Sequence, residues 1–225
     1  MYQGKSVVLR PIERRDLEVL RALANDPTTR AMVGGWGWPI AEQAQALWLE
    51  RAISDERNHR LVVCRIDDSQ RRAVGLCGLW DVDWQARSAQ SAVKLVDRGR
   101  HPDRPDGPPV SGIGRDAVLT SLSIGFGELG LHRIWASINA FNHPSLRLYR
   151  EHCGFKVEGQ RRDAVYRKGR FHDVFDLGIL RSEWEARPET SEYLNRLCPV
   201  DVNPPQPSTP PAPFRETRGS AGRSG

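Results

Sequence analysis

The second half of the chain alternates between helical and strand periodicity, and this alternation limits the fold more than any other feature. Apolar residues recur at helical spacing, then at every second position, then at helical spacing again, and two strand-like runs follow. The predicted elements are a helix, a strand, a short helix and two strands, at residues 112–130, 132–139, 144–153, 157–166 and 171–180. This order predicts an α/β fold of the α+β type.

The first half completes the predicted sheet. Its apolar patterns predict strands at residues 7–10, 60–66, 73–82 and 89–96. They predict helices at about residues 14–25 and 41–53. The pair Asp26-Pro27 is expected to end the first helix. We therefore expect a mixed, mostly antiparallel twisted sheet of about seven strands, flanked by about four helices.

Composition favours a single-core protein outside the membrane. With 225 residues, of which 39% are apolar, the chain can bury a sizeable core. No apolar run reaches the ~18 residues that a membrane span needs, and the first residues do not resemble a secretory signal. The four scattered cysteines indicate reduced thiols rather than a disulfide framework or a zinc site. We expect a cytoplasmic protein without a metal cofactor.

The composition changes near residue 186, where proline becomes frequent. We predict a folded domain over residues 1–186 and a proline-rich, largely disordered tail over residues 187–225. Within the tail, a short helix over residues 189–197 could dock its apolar side chains on the domain.

The formal net charge of +5 favours anionic ligands, such as a phosphorylated cofactor. No cluster of five or more lysines and arginines occurs, so a nucleic-acid partner is poorly supported. The excess of arginine over lysine has a simpler explanation, which is a GC-rich genome.

A glycine-containing helix start is the first motif that indicates chemistry. Glycines allow close approach of a ligand, and the free N–H groups of a first helical turn favour a pyrophosphate. The predicted cofactor-binding residues here are Ser111, Gly112, Ile113, Gly114, Arg115 and Asp116. A plain helix start, whose glycines only allow a turn, is the alternative.

The same glycines match the spacing of a dinucleotide-binding fingerprint. That fold needs an acidic residue about 20 residues further on, at the end of the next strand. The next predicted strand ends at Asn139, and no Asp or Glu follows as far as Tyr149. A dinucleotide-binding fold is therefore the weaker interpretation.

A second motif, some 25 residues beyond the glycines, makes the pattern specific. It comprises Asn142, Ser145, Tyr149, Gly154 and Phe155. Together with an opening Leu-Arg-Pro segment and a closing tryptophan, it resembles the GNAT superfamily of N-acetyltransferases, in its Rim-type branch. That branch acetylates ribosomal-protein N termini and includes many small-amine acetyltransferases. The resemblance covers about residues 7–184.

The resemblance implies transfer of an acetyl group from acetyl-CoA to a primary amine. It implies that Tyr149 is the general acid that protonates the departing thiolate, with a half-buried core tyrosine as the alternative. It also implies that Asn139, Asn142 and Ser145 contact the cofactor, although Asn142 and Ser145 could equally cap a helix. Trp36 and Trp38 would border the acceptor pocket or, alternatively, cover the core.

The chain departs from the family pattern in three places. Pro109 stands where the family usually has a polar residue, the strand before the loop lacks an acidic residue, and the loop over residues 97–109 is long. The general base therefore cannot be carried over. Asp81 and Asp83 lie two residues apart on one predicted strand face, and Asp97 ends the next strand, so these three are candidate bases. Selection of the neutral amine, without a base, is the alternative.

Acetyl transfer also needs a donor for the oxyanion and an acceptor amine, and the sequence does not identify either of them. A backbone N–H of the strand around residues 92–96 is expected to stabilise the oxyanion. A small metabolite or antibiotic is slightly favoured as acceptor over a protein N terminus, because the long loop and the tryptophans are typical of a closed pocket. The alternatives are a ribosomal-protein type N-terminal acetyltransferase and a non-catalytic acyl-CoA-binding module. We expect a monomer or a homodimer.

Overall fold

The computed structural model describes residues 1–33, 38–96 and 112–197. Its strands are β1 (Tyr2–Gln3), β2 (Val7–Arg10), β3 (His59–Arg65), β4 (Ala73–Asp83), β5 (Ser88–Leu95), β6 (Arg133–Asn139), β7 (Lys156–Arg167) and β8 (Arg170–Leu180). Its helices are α1 (Leu17–Asn25), α2 (Pro27–Met32), α3 (Glu42–Ile53), α4 (Ile113–Ser123), α5 (His143–Arg147), α6 (Arg181–Glu185) and α7 (Thr190–Leu197). Helices α4 and α5 each continue into a π-helical turn, at Ile124–Glu128 and Leu148–His152.

The eight strands form one sheet in the order β1-β2-β3-β4-β5-β6-β8-β7. Every neighbouring pair is antiparallel except β5 and β6, which are parallel. The mixed, mostly antiparallel sheet is thus confirmed. The strand that the sequence did not predict is the two-residue β1, which is too short to show an apolar alternation.

Alternating side chains give the sheet two packed faces. On one face, Val63 and Cys77 pack with Ala117 of α4. On the other, Val62 and Leu76 pack with Leu20 of α1. Helices therefore cover the sheet on both sides, and any opening between two strands lies between two helical layers.

The described residues form two helices that the sequence did not predict, α2 and α6, besides the four expected in the domain and the short helix expected over residues 189–197, which is α7. The pair Asp26-Pro27 ends α1 as expected, but it also starts α2. The Asp26 side chain accepts a hydrogen bond from the Thr29 N–H (2.6 Å), and Pro27 occupies a first-turn position. An N-cap residue followed by proline is a helix start, so the same two residues both stop one helix and begin the next. None of the described helices is both long and apolar enough to span a membrane.

Helix α7 packs on the domain beyond the boundary drawn at residue 186. Its Tyr193 is 2% exposed and donates a hydrogen bond to Asp116 Oδ1 (2.6 Å). The Asp116 carboxylate also accepts hydrogen bonds from the backbone N–H groups of Lys5, Ser6 and Val7, at 3.0, 2.7 and 3.0 Å, and from Ser6 Oγ at 3.1 Å. One buried carboxylate therefore joins α4 to the N-terminal segment and to α7.

Candidate active site

A cleft opens where β5 and β6 separate. The two strands pair only from Ser88 to Gln90 and from Arg133 to Trp135, although β5 continues to Leu95 and β6 to Asn139. Beyond the paired part lies a cavity of about 550 Å³, lined by residues of both strands and of α5. The cavity passes between the two helical layers, so ligands can approach it from both faces of the sheet.

Tyr149 lies at this cleft, on the π-helical turn that follows α5. It is 2% exposed, and its hydroxyl lies 3.3 Å from Ser91 Oγ on β5. Its ring packs edge-to-face against Phe155, with centroids 4.9 Å apart. Burial raises the pKa of the Tyr149 phenol far above its usual value, and the contact with Ser91 offsets only part of that shift. Tyr149 is therefore protonated at neutral pH, with its hydroxyl held beside Ser91.

The edge of β5 that faces the cleft offers unpaired backbone groups. The Val96 N–H donates to Val74 O (2.9 Å), and the register between β4 and β5 is regular from there to Gln90. Since successive residues of a strand direct their N–H groups to opposite sides, the N–H groups of Ser91, Val93 and Leu95 point away from β4. That of Ser91 belongs to the last parallel bridge to β6, at Gln90 and Trp135, and those of Val93 and Leu95 lie beyond it and face the cleft. This edge can supply the N–H donor that the sequence predicted around residues 92–96.

The glycine motif forms the start of α4, as predicted. Gly112 has φ +86°, in the left-handed region, and it precedes the helix without a side-chain cap. The N–H groups of Ile113 and Gly114 belong to the first turn, which has no acceptors within the helix. Gly114 borders the cleft-lining strand, since a Cβ on it would lie 3.5 Å from Leu95 Cδ1. Ser111 lies outside the described residues.

Three predicted polar residues meet at the cleft. Asn139 and Asn142 both donate from Nδ2 to the Met32 carbonyl, at 3.1 and 3.2 Å, and the Asn142 Oδ1 accepts from the Ser145 N–H at 3.2 Å. All three line the cavity. Helix capping by Asn142 is thus present, and the two asparagines also fix the end of α2 against the cleft. Their contact with the cofactor stays a prediction.

Two residues of the glycine motif are engaged elsewhere. The Asp116 carboxylate, 4% exposed, is occupied by the five hydrogen bonds described above, so its side chain is not available to a cofactor in this structure. Its position in the first turn of α4 is also favourable to the helix itself. Arg115 forms an ion pair with Glu189 (3.2 Å) and lines a separate surface depression, not the cleft.

The two candidate bases among the described residues do not line the cavity. Asp81 and Asp83 are exposed, near the turn between β4 and β5, and the cleft opens at the other end of β5. Asp83 Oδ1 caps that turn by accepting from the N–H groups of Gln85 and Ala86, at 2.9 and 2.8 Å. Asp97 lies outside the described residues. Among the described residues that line the cleft there is no Asp or Glu.

The tryptophan that lines the cleft among the described residues is not one of the two that the sequence predicted. Trp36 lies outside the described residues, and Trp38 is 86% exposed and lines neither of the two cavities at the sheet. Trp80 lines the cleft instead. The strand pattern of β4 already contained Trp80, but sequence alone does not show that its ring faces the opening between β5 and β6.

A second cavity of about 410 Å³ adjoins the cleft on the side of α1 and α3, and it shares Trp80 and Lys94 with the cleft. The Lys94 ammonium lies 5.1 Å from the Trp80 ring centroid, and the Arg60 guanidinium lies 5.9 Å from that of Trp48. Burial, and secondarily the charge of Arg60, lowers the pKa of Lys94 to about 8. The sequence prediction missed Lys94 and Ser91, although a lysine inside a strand pattern was the available signal for the first.

The sheet with a split between its two parallel strands, a glycine helix start on one face and a buried tyrosine at the split defines an acyl-CoA-dependent transferase fold. The family model for the acetyltransferase (GNAT) domain matches residues 6–156. The chain therefore belongs to the GNAT family of acetyltransferases, as the resemblance predicted.

Relatives of known activity agree with this assignment. Spermidine N(1)-acetyltransferase of Vibrio cholerae is 27% identical over 189 residues, which cover 83% of this chain and 99% of the relative. A crystal structure of the spermidine N-acetyltransferase from Vibrio cholerae, in complex with CoA and spermine, has a TM-score of 0.68 at 26% identity and covers 80% of this chain and 98% of its own. A dodecameric structure of the spermidine N-acetyltransferase from the same organism has a TM-score of 0.64 at 26% identity, with 83% and 100% covered.

The chain is thus an N-acetyltransferase that uses acetyl-CoA and an amine, and small-molecule amines are favoured over protein N termini. The prediction of the superfamily is confirmed. These relatives are not specifically of the Rim-type branch.

Proposed function

We propose that the cleft between β5 and β6 transfers the acetyl group directly from acetyl-CoA to a small primary amine, with Tyr149 as the general acid. The observation that carries this proposal is the buried Tyr149 hydroxyl beside the unpaired edge of β5. A proton donor and a row of N–H donors face the same opening. These are the groups that a thioester needs when its carbonyl oxygen becomes an oxyanion and its sulfur departs.

Acetyl-CoA would reach the cleft from the side of α4. The first-turn N–H groups of α4 would bind the pyrophosphate, with Gly112 and Gly114 allowing close approach. Asn142 and Ser145, which line the cleft at α5, would contact the cofactor further along. The acetyl oxygen would then lie at the edge of β5, where the N–H groups of Val93 and Leu95 face the cleft beyond the pairing with β6.

In the transfer step, the amine nitrogen forms a bond to the acetyl carbon while the bond from that carbon to sulfur breaks. The nitrogen loses one proton to solvent, the thiolate gains one from Tyr149, and the Tyr149 phenolate regains its proton from solvent. The absence of carboxylates from the described lining of the cleft favours selection of the neutral amine over a carboxylate base. Lys94 supports this selection, since a nearby cation lowers the pKa of a bound ammonium.

The second cavity supports the proposal that the acceptor is a small molecule. A volume of about 410 Å³ is the size of a small-molecule site, and its position beside the cleft lets an amine meet the acetyl group from the face opposite to α4. A Rim-type role, with a protein N terminus as acceptor, would need an open groove at this place. Monomer or homodimer remains our proposal for the assembly. The proline-rich tail predicted over residues 187–225 contains α7, and residues 198–225 lie outside the described residues.

Replacement of Tyr149 by Phe tests the proposal. We expect kcat to fall about a hundredfold or more, because the thiolate loses its donor, while the dissociation constant of acetyl-CoA in calorimetry stays the same. Tyr166→Phe is the matched control, since Tyr166 is 56% exposed on the β7–β8 hairpin. An unchanged kcat in Tyr149→Phe contradicts the acid role. Binding of acetyl-CoA without thiol release for any amine would instead support a non-catalytic module.

A further inference from the structure

The second cavity carries positive charge at a place where an amine substrate must bind. Its charged lining residues are Arg51, Arg60 and Lys94, and no Asp or Glu is among the described residues that line it. Asp55 lies behind Arg60 and accepts from its guanidinium at 2.7 Å, so it offsets one of the three charges. The described lining of the cavity is therefore basic, which is unfavourable for an acceptor that is itself a polycation.

The cations are held in place by aromatic rings. Lys94 lies over Trp80, and Arg60 lies over Trp48, both within the range of cation–π contact. Arg60 is 16% exposed, and its bond to Asp55 fixes its direction. Placed on strands β3 and β5 rather than on loops, these side chains are preorganised to receive an anion.

The rest of the cavity wall is apolar. Leu20 and Leu23 of α1, Ile40, Ala44 of α3 and Leu76 of β4 contribute to it, with Trp48 and Trp80 as the aromatic parts. An acceptor that fits this wall has a hydrophobic portion. An acceptor that fits the cations has a negative group close to its amine, because Lys94 borders both this cavity and the cleft.

Resting on the function proposed above, we propose that the acceptor is an amino-acid-like molecule, with a carboxylate near its primary amine and an apolar or aromatic side group. Lys94, supported by Arg60 and Arg51, selects for the carboxylate. The cavity wall receives the side group, and the amine points to the cleft. The nitrogen then forms its bond to the acetyl carbon as the bond to sulfur breaks, and the proton that it loses is balanced by the one that the CoA thiolate gains.

The test compares acceptors that differ only in the carboxylate. Thiol release from acetyl-CoA is measured with the full-length protein for the standard amino acids and for their decarboxylated counterparts, such as phenylalanine against phenethylamine, with spermidine added. We expect kcat/KM for the carboxylate member of the best pair to be at least roughly tenfold higher, as for a charge-assisted hydrogen bond. Equal or faster turnover of phenethylamine or spermidine overturns the inference and leaves the proposed function intact. Thiol release with no small amine at all overturns the proposed function itself.

Substitution at Lys94 tests whether this residue causes the preference for an acceptor with a carboxylate. Lys94→Met should lower kcat/KM for the amino acid to near that of its amine, and Lys94→Arg should keep most of the preference. Lys156→Met, a lysine with 71% exposure on β7, is the matched control and should behave as the wild type. If Lys94→Met does not fold, Arg60→Met gives a second reading of the same effect. A preference that survives both substitutions overturns the assignment to these cations.

Discussion

The cleft has two sides, a proposed cofactor side towards α4 and a proposed acceptor side towards α1 and α3. Their residues are distributed differently along the sequence. The cofactor side consists of the start of α4 and the segment from Asn139 to Tyr149, so most of it lies in one continuous half of the chain. The acceptor side draws on Leu20, Trp48, Arg60 and Lys94, which are spread over the first half and meet only through the sheet. Local motifs therefore reveal one side, and only the fold reveals the other.

The difference also has a physical consequence. The proposed cofactor side offers backbone N–H groups and a buried phenol, which would serve any acyl-CoA. The acceptor side uses charged and aromatic side chains, whose identity decides what enters. Substitutions on the cofactor side should change stability or acetyl-CoA affinity for all acceptors alike, whereas substitutions on the acceptor side should change the ranking of acceptors.

The largest expected effect concerns the support of the cofactor side. Asp116→Ala leaves the N–H groups of Lys5, Ser6 and Val7 and the buried Tyr193 hydroxyl without their acceptor. We expect a loss of about 3 kcal/mol or more in the free energy of unfolding, measured by urea denaturation.

Two further variants define what the Asp116 result means. Tyr193→Phe removes only one of the hydrogen bonds and should cost about 1 kcal/mol. Glu50→Ala, at an exposed position of α3, should leave the urea midpoint unchanged. An Asp116→Ala protein as stable as the wild type but weak in acetyl-CoA binding would restore Asp116 to the cofactor site.

The next effect concerns the glycine helix start. Gly112→Val places a β-branched residue at φ +86°, which shifts the backbone that presents the first-turn N–H groups. We expect acetyl-CoA affinity to fall roughly tenfold in calorimetry, equally for every acceptor assayed.

Gly130→Val is the matched control for this substitution. Gly130 has φ +63° and, like Gly112, has no described atom within 4 Å of the position that a Cβ would take, but it follows the far end of the helix. It should lose a similar amount of stability without losing acetyl-CoA affinity. Equal loss of affinity in both variants would assign the effect to folding rather than to the cofactor site.

Several residues of the proposed cofactor side could be predicted from the sequence because they belong to short local motifs. Gly112, Asn142 and Tyr149 belong to motifs whose spacing is fixed by one helix or one turn, so the spacing survives in the sequence. The candidate bases failed because Asp81 and Asp83 were placed by strand periodicity alone. Periodicity shows which face of a strand a residue occupies. It does not show at which end of β5 the pairing with β6 stops and the cleft opens.

A smaller effect follows from the pKa of Lys94. Among the described residues, Arg60, Arg51 and Cys77 are titratable groups near it, and burial together with Arg60 lowers its pKa to about 8. Below that pH Lys94 is charged and attracts a carboxylate, and above it the charge is lost. In kcat/KM, which reports the free enzyme, the preference for an amino acid over its decarboxylated amine should therefore decline several-fold between about pH 7 and pH 9. In Lys94→Arg the preference should not change over that range, and a wild-type preference that rises with pH would contradict the role of Lys94.

The smallest effect separates the two interpretations of Arg115. If its guanidinium bound the pyrophosphate, as the sequence predicted, Arg115→Ala would weaken acetyl-CoA binding about tenfold or more. The structure pairs Arg115 with Glu189 at 44% exposure, and such an exposed pair contributes at most about 1 kcal/mol to stability. We therefore expect less than a twofold change in the acetyl-CoA dissociation constant, the same as for Arg181→Ala, which removes a comparable exposed pair with Glu185. A tenfold loss in Arg115→Ala alone would mean that the arginine leaves Glu189 when the cofactor binds, and the cofactor side would then use a side-chain charge as well as backbone N–H groups.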